Sequence, residues 1–130
     1  MADHPNAALL RKGYEAFDKG DVAVLTELFA EDVVWHVAGN NPLSGEHRGK
    51  EAVFAAFAKT VGVPPLSFKI ELHDVLANDE HAVALVQATA NRQGKQLDLR
   101  DVTVYHIRNG KVTEFWSFAE DQRATDEFWS

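Results

Sequence analysis

The stretch Phe29–Gly49, FAEDVVWHVAGNNPLSGEHRG, changes character twice. It opens as the tail of an apolar helical pattern, which Glu31 and Asp32 close. Val33 to Val37 is then a β-branched and aromatic run, the composition of a strand. Gly39 to Gly49 follows with Gly, Asn, Pro and Ser throughout, which reads as a loop. Strand alternation sends Trp35 and His36 to opposite faces unless a bulge intervenes. If Trp35 faces a core, His36 faces away from it.

Upstream of this stretch the chain is helical. Leu10, Tyr14 and Phe17 fall at i, i+4 and i+7, with Ala7 and Gly13 beside them, and make one apolar stripe. Pro5 suits a first turn and Gly20 a helix end. Asp21 can cap a second helix whose stripe is Val22, Leu25, Leu28 and Phe29. Downstream, a third helix from about Lys50 to Val61 buries Val53, Phe54, Phe57 and Val61, and Gly62 with Pro64–Pro65 stops it.

The second half reads as β-structure. Phe68, Ile70 and Leu72 alternate with Lys69, Glu71 and His73. Strands follow over Ala82–Ala90, Leu97–Arg108 and Val112–Ala119, separated by turns at Asn78–Glu80, Gln93–Lys95 and Asn109–Gly110. The last is the strongest hairpin signal in the chain. The tail Glu120–Ser130 is polar but ends in Phe128–Trp129, which is read as docking on the body. Three helices and one short strand, then a four-stranded antiparallel meander, predict an α+β domain over residues 1–130. Helices covering one face of a strongly bent sheet leave a cone-shaped apolar cavity, the usual setting of a small-molecule site.

Composition narrows the function classes. The 130 residues carry 13 basic and 20 acidic side chains, for a net charge of −7. An acidic chain without a Lys/Arg cluster is a poor partner for nucleic acid or an anionic membrane. There is no cysteine, which removes disulfides, thiolate metal ligands and cysteine nucleophiles. No two histidines show metal-ligand spacing, and no phosphate-binding glycine motif is present, so neither a metal nor a nucleotide cofactor is expected. No signal peptide or membrane-spanning run is read, which makes the cytoplasm the expected compartment.

The segments YEAFDKGDVAVLTELFAEDVVW, the Gly45…Gly49 loop, GKEAVFAAFA and VYHIRNGKVTEFWSFAEDQ together resemble the nuclear transport factor 2-like superfamily, and within it the SnoaL-like, polyketide cyclase-like group. The resemblance covers nearly the whole chain. It implies three N-terminal helices packed on a curved, mostly antiparallel sheet that encloses a pocket, a small hydrophobic ligand, and a homodimer through the outer sheet face. It implies cofactor-free acid/base chemistry of cyclase or isomerase type on a hydrophobic carbonyl or cyclic substrate. The fold also hosts epoxide hydrolases and non-catalytic ligand-binding or assembly modules. The positions at which ketosteroid isomerases carry their tyrosine and two acids hold Gly13, Val37 and Thr103 in this chain, with Tyr14 about 100° further round the helix. Of the epoxide hydrolase pattern, Asp121 after Trp116 matches, but the Arg-x-Asp of the middle strand is absent.

Three residues are candidates for the chemistry. Asp121 fits the acid/base position of SnoaL-like cyclases; it can equally cap a C-terminal helical turn. Asp101 shares a strand face with Leu99, Thr103, Tyr105 and Ile107. If that face meets the helices, Asp101 is a carboxylate in an apolar pocket; the alternative is a solvated strand end. His36 is suited to proton transfer near neutral pH but lies on the face away from Trp35. The pocket wall is expected to comprise Tyr14, Phe17, Trp35, Phe54, Phe57, Thr103, Tyr105 and Phe118, with Asn40 and Asn41 on its rim. Arg100, His106 and Arg108, on the face opposite Asp101, are expected at the subunit contact.

Overall fold

A computed structural model describes residues 3–61 and 67–130. The chain runs α1 (Pro5–Lys19), α2 (Val22–Leu28), β1 (Phe29–Val37), β2 (Gly45–Arg48), α3 (Lys50–Val61), β3 (Ser67–Ala77), β4 (His81–Arg92), β5 (Lys95–Arg108), β6 (Lys111–Ala119) and α4 (Gln122–Trp129). The boundaries follow from local chemistry. Pro5 occupies the first turn of α1, and Gly20 ends it in the left-handed conformation that a Cβ disfavours, returning its N–H to Ala16 and Phe17. The Asp21 carboxylate caps α2 by accepting from the Val24 N–H at 3.2 Å. Asn109 and Gly110 both adopt positive φ, as the tight β5–β6 hairpin requires. The helix stop read at Gly62 and Pro64–Pro65 lies outside the described residues, as does the side chain of Val61.

The strands form one six-stranded sheet in the order β2-β1-β6-β5-β4-β3. All neighbours are antiparallel except β1 and β6, which run parallel. This is the curved α+β sheet of the nuclear transport factor 2-like cone, with the helices on its inner face. Strand β4 puts Ala82, Ala84, Ala88 and Ala90 inward, which lets α1 lie close to the sheet. Val33, Val53 and Val112 are fully enclosed, each side chain worth roughly 1.5–3 kcal/mol of burial.

Three readings need correction. The first strand begins at Phe29, not Val33, so Glu31 and Asp32 lie within it. They sit at an irregularity between Phe29 and Val34 that leaves both acids exposed, which is why they resembled a helix end. The loop Gly39–Gly49 contains an edge strand, β2, whose residues lack strand propensity and are held by pairing Val34–Val37 with Gly45–Arg48. The tail is a fourth helix, capped by Asp121. Its Phe128 and Trp129 pack with Leu43, Ala90 and Leu97 in a second small core. Among the described residues, no helix is long and apolar enough to cross a membrane.

Candidate active site

The cone encloses a cavity of about 180 Å³ bounded by α1, α2, α3, the sheet and α4. At about 10–15 Å³ per water-sized atom, this admits on the order of a dozen non-hydrogen atoms. Its wall is mainly aromatic and aliphatic. Trp35, Phe115 and Tyr105 stand side by side on β1, β6 and β5 because they are register partners. Their rings are nearly parallel, with centroids 5.5 Å and 5.3 Å apart. Phe57 of α3 closes over Trp35 at 5.0 Å and meets Phe17 of α1 edge-on at 5.7 Å.

Three hydroxyls gather in this apolar setting. The Tyr14 and Tyr105 phenols are 2.6 Å apart, and either can donate. The buried Thr103 hydroxyl stands beside both phenols. Burial pushes both phenols above their ordinary value, Tyr105 strongly. Both therefore remain protonated donors at neutral pH. Tyr14 is not turned away from the cavity by its 100° offset, since Gly13 and Tyr14 both border it. Gly13 has no side chain to fill the space, and the longer Tyr14 reaches across to β5.

Asp101 is the one carboxylate among the described residues that lines the cavity. Its neighbours across the sheet are Val86 on β4 and Ala119 on β6, which offer no side-chain donor. No described residue hydrogen-bonds its carboxylate oxygens. Loss of water raises its pKa to about 6, and the negative charge of Glu120 adds to the rise.

The other expected residues divide. Tyr14, Phe17, Trp35, Phe57, Thr103 and Tyr105 line the cavity. Phe118 borders it, but its register with Val102 turns the ring to the outer face, where it is 48% exposed. Phe54 lies behind the wall, packed on Phe29 and Phe57. Asn40 is not in the wall; Asn41 is. Asn40 gives its backbone N–H to Asp126, which also takes the Asn41 amide.

Asp121 does not line the cavity. It is exposed and accepts from the Ala124 N–H at 3.0 Å, capping α4. His36 lies on the outer face, stacked on Trp116 at 4.9 Å. Its Nε2 is 2.5 Å from Glu114 and its Nδ1 3.5 Å from Glu46. Neither residue is brought to Asp101.

Wall residues that sequence reading missed include Gln122, Thr125 and Trp129, which stand at i, i+3 and i+7 of α4. That helical spacing was the available signal. Ser117, also missed, anchors the Trp35 indole N–H at 2.9 Å.

Comparison with known proteins agrees with this architecture. The model of the SnoaL-like domain family matches residues 10–115. An uncharacterized protein of Mycobacterium tuberculosis is 35% identical over 131 residues, covering all of both chains. Bal32a, from a soil-derived mobile gene cassette, is 39% identical with a TM-score of 0.92 over 97% of each chain. More distantly, IdmH of Streptomyces antibioticus, a candidate polyketide cyclase, is 19% identical with a TM-score of 0.73 over 91% of this chain and 93% of its own. At that identity the likeness is one of fold.

Proposed function

The chain belongs to the SnoaL-like domain family, and on that premise we propose that its cavity is the active site of a cofactor-free acid/base enzyme. The substrate class is a hydrophobic, carbonyl-bearing cyclic molecule, and the reaction is of cyclase or isomerase type. One observation carries this reading: a carboxylate without a partner among the described residues shares one apolar cavity with a pair of protonated phenols. The cyclase description of the distant neighbour IdmH supports the same reaction class.

The chemistry follows from the groups. The substrate carbonyl oxygen accepts a hydrogen bond from the Tyr14–Tyr105 pair. Asp101, with a pKa of about 6, is ionised roughly ten to one at pH 7 and removes the proton from the carbon next to that carbonyl. A base poised near the working pH combines availability with proton affinity. The enolate oxygen keeps the phenol hydrogen bond, which strengthens as charge develops. In an isomerisation, Asp101 returns its proton to a different carbon of the enolate. In a ring closure, the enolate carbon attacks a second carbonyl, and the resulting alkoxide takes the proton from Asp101. Either way the carboxylate is regenerated.

The oligomeric form belongs to the same proposal. Val102 and Phe118 are exposed on the outer sheet face, beside Trp116 and the His36 cluster. Such an apolar patch suits a second copy of the chain. The test of function uses α-tetralone, a bicyclic ketone of fitting size. We expect the protein to accelerate deuterium exchange next to its carbonyl in D₂O, followed by NMR, and the Asp101→Asn variant to lose that exchange while still binding the ketone. Exchange undiminished in the variant would sink the assignment.

A further inference from the structure

We propose that the Arg100–Glu120 clasp is a positioning element for Asp101, holding a partly neutralised negative charge at the end of the β5–β6 ladder and thereby setting how firmly Asp101 holds its proton. This rests on Asp101 being the proton acceptor of the cavity. The clasp is built from four contacts across the two strands. The Arg100 backbone N–H donates to Glu120 Oε2 at 2.9 Å, and its guanidinium reaches Oε2 at 3.4 Å and Oε1 at 3.1 Å. The Glu120 N–H returns a bond to the Arg100 carbonyl at 2.9 Å.

Its position relative to Asp101 is fixed by the ladder. Asp101 follows Arg100 on β5, and Glu120 follows Ala119, the residue paired with Asp101 on β6. Alternation therefore keeps the clasp outside the cavity while Asp101 faces in. The other neighbours of Asp101 leave the field to Glu120. Val86 of β4 and Ala119 of β6 are uncharged. Tyr14 of α1 is a protonated phenol. Gln122 and Thr125, which α4 brings to the cavity, are neutral. On α4 and its cap, Asp121 is turned to the Ala124 N–H and Arg123 pairs with Glu127. Glu120 thus acts on Asp101 by its charge, and Arg100, which holds Glu120 below the usual carboxylate range, tempers that action. Both partners are exposed, so the influence is reduced by solvent and salt.

A clasp that served only to close the sheet would give two removals of the same kind of effect. A charge-setting clasp gives opposite ones. The measurement is the ¹³C NMR titration of the Asp101 carboxyl in the full chain, assigned with Asp101→Asn. We expect Glu120→Gln, which keeps the hydrogen-bonding shape, to lower the midpoint by about a few tenths of a pH unit. Arg100→Gln should raise it by a similar amount, and the gap between the two should shrink in concentrated NaCl. Asp121→Asn removes the same unit charge one residue later, and asparagine still caps α4; its shift should be smaller than that of Glu120→Gln. Shifts of the same sign in the two clasp variants, no shift in either, or an Asp121→Asn shift as large as that of Glu120→Gln would overturn the proposal. The titration reads the carboxyl directly, so loss of the acid/base reading in the ketone experiment leaves this result independently visible.

Discussion

On the outer face of β1 and β6, His36 lies between Glu114 and Glu46 and stacks on Trp116. On the inner face of β5, Asp101 lies between Val86 and Ala119 with no donor among the described residues to meet it. The same sheet therefore carries two ionisable side chains under opposite conditions. The histidine has its partners already, and a ligand would have to break them. The carboxylate is half-buried and has no partner among the described residues, so a substrate proton is free to answer it. A residue type suited to catalysis is thus a weaker guide than whether its hydrogen bonds are already used.

The contrast can be broken most forcefully at Asp101. Asp101→Asn should reduce ketone exchange on the order of 10²–10⁴-fold, the usual weight of a positioned base. Next in size is the donor pair: Tyr14→Phe with Tyr105→Phe should cost about 10²-fold in the same assay, as for removal of an oxyanion donor. Either single substitution should cost less, because the remaining phenol can turn to the carbonyl. A rate equal to that of the wild type in the double variant would remove the hydroxyl cluster from the chemistry.

A third expectation concerns stability. The folded protein raises the Asp101 pKa from 3.8 to about 6, so the native state holds this proton more tightly than the unfolded chain. Its contribution to stability is then greatest below about pH 4, declines between 4 and 6, and remains lost above 6. Asp101→Asn should accordingly stabilise the protein at pH 7 by on the order of 2 kcal/mol, with the advantage fading below about pH 4. Urea melts at pH 4 and pH 7 measure the difference, and a gain independent of pH would contradict desolvation of the carboxylate as its cause. The smallest effect lies outside the cone. His36→Gln should leave ketone exchange within about two-fold while weakening self-association in light scattering; a large loss of exchange would erase the distinction between the two faces.

Much of this was readable in the sequence because strands and helices have fixed periods. Alternation along Leu97–Arg108 put Asp101, Thr103 and Tyr105 on one face, and the structure has them there. The same rule separated His36 from Trp35. What escaped was set by distant partners. GEHR has no intrinsic tendency to be a strand and becomes one only against β1. Asp121 carried two readings, and a sequence holds no sign of whether a carboxylate is already engaged by the N–H of Ala124. Phe54 and Phe57 share a helix and its apolar character, yet only Phe57 meets the cavity, while Phe54 packs behind it on Phe29.

The parallel pairing of β1 with β6 has a consequence for how the molecule is made. Val34–Val37 pair with Glu114–Ser117, so the middle of the sheet joins the first strand to be synthesised with the last. The β3–β6 meander can assemble from neighbouring segments, nucleated at Asn109–Gly110, but the partner of β1 is synthesised only after β2 to β5. Contacts so far apart in sequence form slowly, and until they form β1 keeps a free edge open to the wrong strand. A chain cut short before Lys111 would lose a strand from the centre of its sheet, and with it the seam that joins the two halves.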